Sequence, residues 1–244
     1  MSARIARWIA VVGMMVAGSH WVSAQTPPRS MPVGHHEFAV RGFYQGQEMD
    51  PWTAEYSVAD TAFGSEPGVR AVYESRQSNA GWLYSYSAAW SRVSPIVHAE
   101  WLMRGQSQGS CNAVVEPGEI TAKLGDGTVA AAVRVTGYAV PDFAIGAYLA
   151  ARALSVGDTI TLTMFRCKPL SGTAAIESWP VVATVRSGEE ARGGIGQPEP
   201  VWIIEGDRSY NFVAVIGKSD RMLLRNVTPQ GSVGYSTDTY VRTR

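Results

Sequence analysis

His98 and Glu100 stand two residues apart in the alternating stretch Ile96 to Arg104, so both side chains fall on one face of a strand. An imidazole beside a carboxylate is the smallest acid–base pair, and a third ligand would make it a metal site. No third ligand is visible, because His35-His36 belongs to an N-terminal lead-in. A satisfied polar pair explains these two residues better, and hydrolysis through them is the weakest of three functional readings. Gly193-Gly-Ile-Gly196 lacks the Lys-Ser/Thr and the helix that follow a phosphate loop, so it reads as a flexible turn. Gly109-Ser110-Cys111 lacks the residues that flank a nucleophile elbow. Asp126, Asp158, Asp207 and Asp220 occupy turn positions, where the carboxylate serves the local backbone. Asn226-Val-Thr228 fits a glycosylation sequon, whose meaning depends on the host. These residues form no catalytic constellation and no cofactor motif, and the chain reads as non-enzymatic.

Two other sets of residues offer binding and cross-linking. Trp82, Tyr84, Tyr86 and Trp90 share one face of the strand Trp82 to Trp90. Such a stripe packs a core, or it forms the wall of an apolar pocket with indole and phenol groups at the mouth. Trp101, Met103 and Phe143 are candidate neighbours of that wall. Cys111 and Cys167 are the only two cysteines, and in an exported chain a disulfide is the default. It would close a loop of about 57 residues, a constraint of about 4 kcal/mol in the chain-entropy model.

The export reading rests on the first 24 residues. Arg4 and Arg7 precede a short apolar run, Trp8 to Gly18, and Val22-Ser23-Ala24 offers small residues before Gln25. That is a cleaved secretory signal, which places the mature protein in the periplasm or outside the cell. The run falls short of the ~20 residues that cross a bilayer, so no stable transmembrane anchoring is expected. No Cys follows it, so lipoprotein processing is not expected either. The full chain carries 21 basic and 21 acidic residues. Losing Arg4 and Arg7 with the signal leaves 19 against 21, a formal charge of −2 without a basic cluster. This excludes nucleic acid as a natural partner.

Residues 25–34, with Pro27, Pro28 and Pro32, read as an extended segment, and 35–244 as one β-rich domain. Strands are expected over His36–Tyr44, Thr53–Ala59, Val69–Ser75, Trp82–Trp90 and Ile96–Arg104. Gly64 to Gly68 reads as a turn, and Gly105 to Gly109 as a loop. Glu119–Leu124 and Thr128–Val135 form a hairpin about Gly125-Asp-Gly127. Asp158–Phe165 and Trp179–Arg186 follow as strands. Two further hairpins join Val201–Glu205 to Tyr210–Ile216 and Arg221–Val227 to Ser232–Val241. One segment stands apart. Residues 142–154 are rich in Ala and Leu, with Phe143, Ala147, Ala150 and Leu154 at helical spacing and Ile145 and Tyr148 widening that face. A dozen short strands around one apolar helix imply a curved antiparallel sheet, an incomplete, half-open β-barrel whose concave face one α-helix covers.

Pro141-Asp-Phe, then Tyr148 with Ala151-Arg152, then Leu154 and Gly157-Asp158, resemble the helix-to-strand passage of an exported bacterial family, the domain of unknown function 3108. Ala144 stands where that family usually carries Ser. The resemblance spans about residues 141–235, and that family looks related to the LolA-like lipoprotein carriers. It implies a half-open barrel whose apolar hollow, beneath a helix, holds acyl chains.

The combined expectation is an exported binder of a lipophilic ligand, an acyl chain or a lipoprotein. Trp82, Tyr84, Tyr86, Trp101, Phe143, Tyr148 and Leu149 would line its lidded apolar cavity. The alternative is a structural or interaction protein of the cell envelope in which the same rings fill a solid core.

Overall fold

The computed structural model describes residues 34–44, 46–63, 66–77, 80–89, 96–104, 106–150, 152–170, 173–192, 197–206, 212–229 and 235–242. The expected signal (1–24), all of the extended segment but Gly34, and Trp90 lie outside the described residues. The strands are β1 (Gly34–Tyr44), β2 (Gln47–Glu48), β3 (Trp52–Phe63), β4 (Glu66–Gln77), β5 (Ala80–Ala89), β6 (Ile96–Met103), β7 (Gln106–Glu116) and β8 (Glu119–Lys123). They continue as β9 (Val129–Arg134), β10 (Tyr138–Pro141), β11 (Thr159–Leu170), β12 (Thr173–Glu190), β13 (Glu199–Gly206), β14 (Val213–Gly217), β15 (Leu223–Pro229) and β16 (Tyr235–Arg242). Between β10 and β11 a 3-10 turn, Asp142–Ala144, runs into the helix α1, Ile145–Ala150.

All sixteen strands belong to one sheet, in the order β10-β11-β12-β13-β14-β15-β16-β1-β3-β4-β5-β6-β7-β8-β9, with β2 as a side partner of β1. Two up-and-down meanders, β1 to β9 and β11 to β16, are thus joined where β1 pairs with β16, Phe38 opposite Arg242 and Tyr44 opposite Ser236. The sheet is not purely antiparallel as expected, because β10 pairs parallel to β11, Tyr138 opposite Leu162. Parallel neighbours need a crossover, and the chain from 142 to 158 with its helix is that crossover.

The sheet does not close on itself. β9 and β10 end the order without pairing to each other, and the two ends overlap instead. β11 lies across β6 and β7, and β12 across β8 and β9. Ala99, Ala113, Ala122 and Ala183, all nearly inaccessible, let the layers approach, and Val115, Ile120 and Leu162 fill the space between. Each large aliphatic side chain buried there contributes about 1.5–3 kcal/mol. Cys111 on β7 and Cys167 on β11 form a disulfide across this overlap, their Cα atoms 6.0 Å apart.

The helix lies within the concave face and is shorter than the 142–154 the periodicity predicts. It packs on β10, β14 and β15, and the 3-10 turn packs on β4 and β11. Gly146 permits the contact with β15, since a Cβ there would come within 2.9 Å of the Leu223 side chain. The helix ends at Ala150 because Arg221, held at φ +59, reaches back to it. Its guanidinium donates to the carbonyls of Ala150, at 2.5 Å, and Arg152, supplying charge and partners where a helix C-terminus needs them. Leu154 stays buried from the irregular turn that follows, which is why the apolar spacing outruns the helix. Two further expectations are corrected. Gln106 to Gly109 belongs to β7, paired with Met103, Leu102 and Trp101, despite a polar composition without strand periodicity. Glu66 to Gly68 opens β4 and is not a turn.

Replacing Cys111 and Cys167 together by Ser should destabilise the fold by about 4 kcal/mol. The melting temperature would fall by roughly 10 °C, as read by circular dichroism, and reductant should reproduce the shift in the parent protein only.

Candidate functional site

Inside the curve, away from the overlap, the sheet encloses a cavity of about 500 Å³. Alternation along β4 and β5 aims Tyr73, Trp82 and Tyr84 into it, with Ser75 opposite Trp82 and Tyr73 opposite Tyr84 across the pair. Trp52 of β3 adds to this wall. Phe143 and Ile145, at the start of the helical segment, make the floor, and Leu223, Asn226 and Thr228 of β15 the facing side. Tyr44 and Met49 form an exposed rim, 38% and 36% accessible, whereas Ile145 is 1% accessible, so the cavity opens at one end.

The rings form a continuous ladder. Tyr84 stacks on Phe143 with centroids 5.0 Å apart, and on Trp82 at 5.8 Å. Trp82 stacks in turn on Trp101 at 6.2 Å, its neighbour across β5 and β6. Tyr73 closes a triangle, 6.1 Å from Tyr84 and 6.3 Å from Phe143. Offset rings in such contact add about 0.5–1.5 kcal/mol per pair beyond area burial, which makes the wall stiff.

Among the described residues, charge lines the cavity in pairs. Arg166 contacts Asp142 at 2.5 Å, and Asp142 also accepts from the backbone N–H of Phe143 at 2.9 Å, fixing the floor residue. Burial alone would lower the Arg166 pKa. Asp142, with Tyr84 and Glu177, outweighs it and holds the guanidinium above its ordinary value. Lys168 bonds Glu177 at 2.6 Å. Burial, reinforced by Asp142, pushes the Tyr84 phenol well above its usual range; burial does the same to Tyr56, with Tyr73 adding to it. Both phenols stay neutral.

A second void of about 50 Å³ lies between the helix and strands β1, β3 and β15, bounded by Phe38, Tyr56, Gly146 and Met222. Phe143, Tyr73 and Leu223 border both spaces and act as the partition. The Tyr56 hydroxyl is buried with no hydrogen-bond partner among the described residues.

Of the residues singled out from sequence, Trp82, Tyr84 and Phe143 stand on the cavity wall. Trp101 lies one ring behind it. Tyr148 and Leu149 are in the core away from the cavity, with Tyr148 stacked on Tyr138 at 5.1 Å and its hydroxyl accepting from Arg152. The Tyr86 side chain lies outside the described residues, although its backbone pairs with Ala71 in β4. Met103 is exposed. Trp52, Tyr73, Ser75, Arg166 and Lys168 were not singled out, and Asn226 and Thr228 only as a sequon; of these only Tyr73 carried a signal toward the cavity, its alternation with Val69 and Ala71. His98 and Glu100 approach to 3.9 Å, with His98 Nδ1 on Asn112 Oδ1 at 2.8 Å, but neither lines either of these two cavities. Among the described residues no three His, Cys, Asp or Glu gather as a metal site. The sequon Asn226 is buried inside the shell, which leaves its amide out of reach of a glycosylating enzyme.

No family model and no curated protein matches the chain, so membership of the domain of unknown function 3108 family stays an expectation. Among solved structures it is similar to a beta-barrel-like protein of domain of unknown function DUF1849 from Brucella abortus. The identity is 10%, the TM-score 0.47, and the match covers 87% of this chain and 98% of that one.

Two outcomes follow from the electrostatics. The raised pKa values mean that the folded chain keeps protons the unfolded chain releases near pH 10, so stability falls as pH rises beyond that value and not below it. Urea midpoints between pH 8 and 11 would show the decline. Asp142→Ala strands a buried guanidinium and should cost about 3–5 kcal/mol, while adding Arg166→Met should recover most of it in the same assay.

Proposed function

We propose that this protein binds a small, elongated, largely apolar molecule, an acyl chain or similar lipophile, without transforming it. The aromatic cavity carries this reading: about 500 Å³, open at one rim and walled by Trp52, Trp82, Tyr84 and Phe143. That volume falls within the roughly 300–1,000 Å³ of small-molecule sites. Apolar burial at about 25 cal/mol per Å² supplies the affinity, and the prebuilt ring ladder keeps the ordering cost low. The hollow that the resemblance to LolA-like carriers implies supports the same ligand class. The helix forms the floor and not a cover over the rim, so entry needs no displacement of α1. The Cys111–Cys167 bond supports residence in an oxidising compartment outside the cytoplasm. No described helix is long and apolar enough to cross a membrane.

A fluorescent fatty acid should bind saturably and quench the Trp52 and Trp82 emission. Ser75→Phe, which fills the cavity from β4, should weaken binding by at least about tenfold (~1.4 kcal/mol) with an unchanged circular dichroism spectrum. Absence of saturable binding to the delipidated protein would remove the proposal.

A further inference from the structure

Asn226 is a polar group on the cavity wall that the fold does not explain. It is 5% accessible and lines the aromatic cavity, while its Oδ1, shielded from solvent in this conformation, has no hydrogen-bond partner among the described residues. Burying an acceptor without a partner is unfavourable, and apolar cavities normally avoid it. Nor is its inward direction an accident of simple alternation. Leu223 faces inward against Gly146, so strict period-two spacing would send Asn226 outward. A bulge between Val215 and Ile216 sets the register of β15 so that Ile216 pairs with Leu223 and Val215 with Arg225. Leu224 and Arg225 then both face outward, Leu224 against Val201 and Val215, Arg225 bonded to Glu190. The extra residue returns Asn226 and Thr228 to the interior, and bulges commonly re-aim side chains in this way. The cations on the cavity wall are already charge-compensated, Arg166 by Asp142 and Lys168 by Glu177, which lowers their pull on an anion.

We propose that the ligand carries an uncharged polar head with a hydrogen-bond donor, a hydroxyl or a secondary amide, and that the Asn226 amide turns toward the cavity to accept from it through Oδ1. The apolar remainder lies along the Trp82–Tyr84–Phe143 ladder. This rests on the binding function proposed above and names the chemistry of its ligand: a neutral acylglycerol or acylamide in preference to an ionised fatty acid, whose carboxylate has no proton to give.

The test titrates two probes that differ by one donor, N-methyllauramide and N,N-dimethyllauramide, against tryptophan emission of the full chain. The secondary amide should bind about five- to tenfold more tightly than the tertiary one, the range of one neutral hydrogen bond. Asn226→Leu should abolish that difference, the two probes then binding with equal affinity. Equal affinities in the parent protein would overturn the inference and leave the binding function standing, whereas failure of both probes to saturate would sink that function as well. Stability gives a second readout. Freed of an unsatisfied acceptor, the ligand-free Asn226→Leu variant should melt roughly 3 °C higher. A lower melting temperature would show the amide already satisfied within the fold and would likewise overturn the inference.

Discussion

A curved sheet that never meets its own edge has one concave face to fill and two edges to shelter, and this requirement organises the molecule. Overlap serves the edges: β11 and β12 lie over β6 to β9, and what would be two exposed ends becomes a two-layer core. That solution depends on small side chains, because Ala99, Ala113, Ala122 and Ala183 are what allow the layers to close. Where the layers diverge, the same sheet leaves a hollow, which the 142–150 segment fills from one end only. The cavity is what remains of the concave face after the helix has taken its share.

The helical segment is short and is held by its ends more than by its own hydrogen bonds. Asp142 ties its start to Arg166 on β11, and Arg221 holds its last carbonyls from the β14–β15 turn. A six-residue helix in water would not persist. Here tertiary contacts set its length and position, and Phe143 is presented to Tyr84 at stacking distance as a result. The cavity floor is therefore as rigid as the shell that surrounds it.

Much of this architecture was legible in the residues, and the parts that were not share a cause. Alternation in Ile160, Leu162 and Met164, and the Asp126-Gly127 pair, announce β11 and the β8–β9 hairpin because each signal is local. The two cysteines imply their own bond by number and by the export reading. Tyr148 and Leu149 share the helix with Phe143 and carry the same apolar signal, yet only Phe143 reaches the cavity, since the side that faces β10 is decided by a parallel pairing no periodicity reveals. Asn226 is hidden for a related reason. Its direction depends on a one-residue register change in β15, which leaves no mark on composition. Gln106 to Gly109 shows the opposite case, polar residues drawn into a strand by the backbone of a neighbour.

The seam between β1 and β16 brings residues near the two ends of the chain together in the middle of the sheet. Every other antiparallel pair among the described residues joins strands close in the chain and can assemble early. The seam cannot: its loop-closure entropy is met only after both meanders are available, and contacts of that span slow folding. A nascent chain emerging from its N-terminus would hold β1 with an unsatisfied edge until β16 arrives. The two meanders can each take shape early, but the shell becomes continuous only once β16 has been made.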